Sequence, residues 1–152
     1  MKLKQTPLIQ ADEITKQIES LAKSINSDYQ NKKLTVVGVL NGSFIFVADL
    51  VRKLKLEVKV DFIGVSSYEG TSSSGNVKLT KDLKEDLEGK HVLLVEDIVD
   101  TGRTLDYLIR TLSQRGPESL KVCTFLSKPS CRIVDVPVDY IGFEIEDKFV
   151  VD

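Results

Sequence analysis

The sequence predicts an α/β fold: a single open, mostly parallel sheet flanked by helices. Two observations carry this. The runs Leu34 to Leu40 and Val92 to Val95 are almost continuously apolar, as in strands covered on both faces, and lack the alternation of a half-exposed strand. Each run is followed by a short polar turn and then a helical segment, the order that builds parallel sheets. A chain of 152 residues suits one domain around one core, so residues 1–152 are expected to form a single unit.

Taken in order, Ile14, Ile18, Leu21, Ala22 and Ile25 mark an amphipathic helix over residues 12–26. The first strand, 34–40, turns through Asn41, Gly42 and Ser43 into an apolar helix over 44–54. The free amides at that helix start make the turn a candidate anion site, about as readily as a plain connection. Residues 55–64 read as the next strand, with Val58, Val60, Phe62 and Ile63 facing inward. Residues 65–75 are rich in Ser, Thr and Gly, the composition of a flexible loop. A returning strand over 76–81 and a charged turn over 82–89 lead to the central strand, opened by His91, to which no role is assigned. After it, Leu105, Leu108, Ile109 and Leu112 define a helix closed by Gly116 and Pro117. A buried strand over 120–126, an extended stretch over 133–138 and a late strand over 140–143 complete the pattern.

The chemistry concentrates where the central strand meets its helix. Glu96 and Asp97 close the apolar run, and Asp100, Thr101, Gly102, Arg103 and Thr104 form the turn. In open α/β sheets such turns border the ligand crevice. The amides of residues 101–104, two hydroxyls and a glycine make an anion cradle sized for one phosphate group. Glu96 and Asp97 are acceptors only, and sugar hydroxyls or a bound Mg²⁺ would satisfy them. Phosphate donors beside diol acceptors describe a ribose 5-phosphate. Any one of these residues is most simply a surface turn residue; the ordered set at this junction favours the site.

Val95 to Thr104 resembles the phosphoribosyl-pyrophosphate motif of the type I phosphoribosyltransferases, and Asp100 at its fifth position resembles the hypoxanthine-guanine branch. The resemblance implies transfer of phosphoribosyl from 5-phosphoribosyl-1-pyrophosphate to hypoxanthine and guanine, with Mg²⁺. It implies a catalytic Asp100 acting on the purine N7 proton, with Glu96 and Asp97 at the ribose and metal. Residues 101–104 would take the 5′-phosphate. It places Asn41, Gly42, Ser67, Tyr68 and Arg132 at pyrophosphate, although the family often carries Lys where Asn41 stands. Lys128, Phe149 and Val150 would read the base, as part of a small hood, and residues 67–75 would form a lid. Family members usually continue past the Phe-Val-Val strand into a segment bearing Asp and Arg. The given sequence ends at Asp152, so that part of the hood is expected to be missing.

Composition sets the remaining expectations. A net charge of −2, with 41% hydrophobic and 29% charged residues, leaves no electrostatic footprint for nucleic acid or a membrane surface. No apolar run is long enough to span a bilayer, and no signal-peptide core follows Met1. Cys123 and Cys131 are too few for a metal cluster, and a cytoplasmic enzyme with reduced thiols follows. The resemblance further suggests a homodimer or homotetramer. The competing readings are a xanthine-preferring enzyme and a non-catalytic nucleotide- or RNA-binding regulator of the same fold.

Overall fold

The structure is a computed structural model and describes residues 9–67 and 77–146. Among them, six strands form one sheet: β1 (Lys33–Leu40), β2 (Glu57–Ser67), β3 (Val77–Lys81), β4 (His91–Val99), β5 (Ser119–Ser127) and β6 (Tyr140–Glu144). Their spatial order is β3-β2-β1-β4-β5-β6, with only β3 antiparallel to its neighbour. Three helices flank the sheet: α1 (Ala11–Asp28), α2 (Phe44–Val51) and α3 (Arg103–Ser113). This is the open, mostly parallel α/β sheet expected from the apolar runs.

The two faces of the sheet have separate cores. Leu93 and Val95 of β4 join α1 and α2 through Ile18, Leu21, Ile25, Phe46 and Leu50. Val92 and Leu94 point the other way, to Leu105, Leu108 and Leu112 of α3. A strand whose successive side chains bury on opposite faces must be apolar at every position, which is why β4 reads as an unbroken run. Its pairing with β1 on one side and β5 on the other makes it central.

Several boundaries differ from the sequence reading. Helix α2 stops at Val51, three residues early, where Asn26 accepts from the Lys55 amide (2.7 Å) and donates to the Lys53 carbonyl (3.3 Å). These bonds give the backbone after α2 partners that continuing the helix would forfeit. Val60 faces solvent at 42% exposure, contrary to its expected inward position. It lies on β2, between β3 and β1, and its same-face neighbours Val58 and Phe62 are themselves only partly buried. Its neighbours Asp61 and Ile63 are the buried ones. The Asp61 carboxylate accepts backbone N–H bonds from Phe62, Lys84 and Glu85, and so anchors the charged turn that leads into β4. β2 also runs to Ser67, into the stretch expected to be loop.

Candidate active site

The strand order reverses direction between β1 and β4. The connection from β1 through α2 leads one way along the sheet, and that from β4 through α3 leads the other. Neighbouring crossovers that diverge leave a crevice beyond the strand ends, the place where open α/β sheets bind ligands. The carboxyl ends of β1, β4 and β5 bring Asn41, Asp100 and Lys128 to this edge, since Val99 pairs with Ser127 and Gly38 with Val95. Ile145 donates to the Ser127 carbonyl, so the chain leaves β6 beside the same edge.

Glu96 and Asp97 lie within β4, where the sequence had suggested its end. Successive side chains of a strand leave on opposite faces. Glu96 therefore lines a small pocket of about 70 Å³ with Ile98, Asp100, Thr101, Thr104 and Leu105, on the α3 side. Asp97 faces the β1–α2 turn: a Cβ built on Gly42 would stand 3.2 Å from its Oδ2. The two acids thus flank the crevice. Burial pushes the Glu96 carboxyl up to about 8, and the charges of Asp97 and Asp100 add to the rise against the Asp97 amide, which donates to Glu96 Oε1.

The phosphate-sized turn is partly closed on itself. Asp100 Oδ1 accepts from the Thr101 amide (2.6 Å), and Thr101 Oγ1 accepts from the Arg103 amide (3.3 Å). Two of the four amides expected to point outward are therefore held by short side chains that mimic turn carbonyls. Gly102 and Thr104 supply the remaining donors at the start of α3, where amides have no partner within the helix. Gly102 has φ +89°, a left-handed conformation suited to glycine. Its missing side chain matters on the far side of the loop: a Cβ there would meet the Val134 carbonyl at 2.5 Å. The glycine admits the 133–136 segment and is not, as the cradle reading implied, needed chiefly to clear room for phosphate.

The β1–α2 turn is likewise closed. Ser43 donates both its amide and its hydroxyl to the Val39 carbonyl, and the Phe44 amide donates to Asn41. The free helix-start amides expected there are thus partly used. The Leu40–Asn41 peptide is cis. Asn41 and Gly42 are exposed at the rim.

Lys128 follows β5, and its amide donates to the Val99 carbonyl. The residue is half-buried, and its ammonium makes no ion pair among the described residues. Arg132, expected at pyrophosphate, has both terminal nitrogens engaged by the protein: Nη1 by the carbonyls of Val99, Asp100 and Lys128, and Nη2 by Ser127 Oγ. The sequence reading missed this brace and its companion, in which Ile133 and Val134 both donate to the Thr101 carbonyl. Only Gly102 hinted at it. The side chain of Ser67, together with Tyr68, Phe149 and Val150, lies outside the described residues.

Among the described residues no three metal-ligating side chains converge. Glu96 and Asp97 leave β4 on opposite faces, so Mg²⁺, which needs only one or two carboxylates beside substrate oxygens and water, would take them singly.

The family model for the phosphoribosyl transferase domain matches residues 8–152. The chain is 49% identical over 148 residues to the hypoxanthine phosphoribosyltransferase of Haemophilus influenzae, covering 95% of this chain and 83% of that protein. It is 43% identical to the hypoxanthine-guanine-xanthine phosphoribosyltransferase of Tritrichomonas foetus, over 95% and 79% of the two chains. The crystal structure of a hypoxanthine-guanine phosphoribosyltransferase from Bacillus anthracis superposes with a TM-score of 0.91 at 42% identity, over 95% of this chain and 86% of that one.

Glu96→Gln should change how stability depends on pH. The folded carboxyl sits near 8 and the unfolded one near 4.5, so only the unfolded state releases its proton in between. Stability therefore falls as pH rises through that window. Urea unfolding should give equal stabilities at about pH 4.5 and a variant more stable by about 2–4 kcal/mol at about pH 8.5. A pH-independent gap would contradict the buried, protonated acid. Gly102→Ala should lower stability by about 2 kcal/mol, through its φ and the Val134 carbonyl. An unchanged denaturation midpoint would remove that contact from the account.

Proposed function

This chain belongs to the phosphoribosyl transferase family, and from that premise we propose that it joins hypoxanthine, and guanine, to the phosphoribosyl group of 5-phosphoribosyl-1-pyrophosphate. The products are the purine nucleoside monophosphate and pyrophosphate, in purine salvage. The observation that carries the reading is the acid pair and phosphate-sized turn at the β1/β4 crevice, in a chain so similar to named hypoxanthine phosphoribosyltransferases.

In the reaction the bond from C1′ to pyrophosphate breaks and one from C1′ to purine N9 forms. Positive charge builds on the ribose ring as the leaving group departs. Glu96 and Asp97, one on each side of the crevice, hold the ribose hydroxyls beneath that charge, and they stabilise it electrostatically once Glu96 has given up the proton that its burial favours. The turn 101–104 anchors the 5′-phosphate through amides and hydroxyls. Asp100, exposed at the rim, is where an incoming purine would leave its N7 proton. Lys128 donates to the 6-oxo group; having no acceptor, it disfavours the amino group of adenine. Roles for Phe149 and Val150 at the base, and for Asn41, Gly42, Ser67 and Tyr68 at pyrophosphate, rest on the resemblance. Asp97 or Glu96 would hold a Mg²⁺ ion, whose positive charge would act against the leaving pyrophosphate.

The xanthine reading draws on the name of the Tritrichomonas relative, and one lysine does not separate oxopurines from each other. The regulator reading has no such support, and the net charge of −2 speaks against an RNA-binding face. Among the described residues no helix is long and apolar enough to cross a membrane, and the cytoplasm is the compartment we assign. Phe44 and Ile45, 59% and 66% exposed at the start of α2, favour association into a homodimer or homotetramer.

Incubation with Mg²⁺, phosphoribosyl pyrophosphate and each of hypoxanthine, guanine and xanthine in competition should yield inosine and guanosine monophosphates. Absence of any nucleotide product would refute the reading; xanthosine monophosphate as the main product would move it to the xanthine branch. Asp100→Asn should reduce kcat roughly 100-fold while the KM for phosphoribosyl pyrophosphate changes little. Equal losses in both would take the proton-accepting role from Asp100.

A further inference from the structure

Purine O6 and N7 are neighbours, so the lysine that reads one and the carboxylate that serves the other must be held in fixed relation. The two sit at the ends of different strands: Asp100 one residue after β4, Lys128 one residue after β5. A carbonyl oxygen can accept more than one donor, and a cluster of carbonyls at strand ends is a local excess of negative charge. Here Val99, Asp100 and Lys128 turn their carbonyls towards one point. Arg132 Nη1 lies there, at 3.2, 2.9 and 3.2 Å respectively, and Nη2 donates to Ser127 Oγ at 2.8 Å.

We propose that Arg132 is a positioning residue that locks Asp100 and Lys128 in register with the adjacent N7 and O6 of a single purine. It grips the backbone of both residues at once. The arrangement is local: Arg132 closes the short 3₁₀ turn Pro129–Cys131 that starts at Lys128, and its neighbours Ile133 and Val134 donate to the Thr101 carbonyl. The side chain and the following backbone therefore clamp the same loop from two directions. Gly102 permits the approach. A planar guanidinium suits this task because it carries several donors in fixed directions. An ammonium is a single point and cannot span Ser127 and three carbonyls.

The proposal rests on the functional reading above, and it differs from a pyrophosphate role for Arg132 in what it moves. Arg132→Lys and Arg132→Ala are compared with the wild type in steady-state kinetics. Loss of register should lower kcat for hypoxanthine roughly 30-fold or more, because misplacement of about an ångström costs rates of that order. The KM for hypoxanthine should rise and discrimination against adenine should fall, while the KM for phosphoribosyl pyrophosphate stays within about twofold. Added guanidinium ion should restore part of the activity of Arg132→Ala and none of Arg132→Lys. A rise confined to the KM for phosphoribosyl pyrophosphate or pyrophosphate would assign Arg132 to that ligand and overturn the proposal, as would unchanged kinetics.

Amide hydrogen exchange supplies a reading independent of turnover. In Arg132→Lys the amides of Lys128, Ile133 and Val134 should exchange faster, with the β1, β4 and α3 amides unaltered. Unchanged protection would overturn the brace, and general loss of protection in both variants would make Arg132 a folding residue instead. Failure of the functional reading looks different: the wild-type protein itself would form no nucleotide.

Discussion

The structure hangs on β4 being paired in parallel on both edges. With β1 on one edge, β5 on the other and helices packed over both faces, every side chain from Val92 to Val95 is buried. The crossovers that follow β1 and β4 diverge, α2 over one face and α3 over the other. The crevice is a by-product of that divergence. Among the described residues, this edge brings together several strand ends and two helix starts around a gap. A ligand that needs an anion held at one end and hydroxyls held at the other finds both at this edge.

Because side chains alternate along a strand, an acid pair that continues β4 is split between the two sides of the crevice. Asp97 leans toward Gly42 and Glu96 toward the pocket by α3. Two adjacent carboxylates on a loop would repel one another at short range and share one environment. Continued as strand, they take different ones, and the deeper of them, Glu96, is the one that burial drives toward its neutral form. Hydroxyl donors or a cation brought to the pair would favour the ionised form of Glu96. Functional sites commonly carry destabilising features such as this buried acid.

Much of this was legible beforehand because the physics is local or periodic. The apolar runs announced the covered sheet, and the spacing of Leu105, Leu108 and Leu112 announced α3. The order acid pair, Thr-Gly turn and helix located the site. What escaped was tertiary. Val60 and Phe62 have the same parity, and no pattern in the chain says that only one is covered. Arg132 has the composition of a ligand-binding arginine, and its engagement by three carbonyls depends on how two strand ends are placed in space. The end of β4 was placed early because polar residues inside a strand look like its termination.

The glycines show why such errors have a direction. Sequence reasoning assigns a glycine beside an anion site to the ligand, since ligand chemistry is what the motif suggests. In Gly42 and Gly102 the missing Cβ instead lets one piece of protein approach another: Asp97 in the first case, the Val134 carbonyl in the second. Both contacts join loops from different strand ends, and both hold a group of the candidate site from behind. A cradle made of backbone amides has no rigidity of its own, as exposed turns exchange conformations readily. It gains rigidity only if the protein behind it is in contact. Close approach at the back of the loop is thus as much a requirement for gripping phosphate as donors at its front, and it is the part that a linear motif does not spell out.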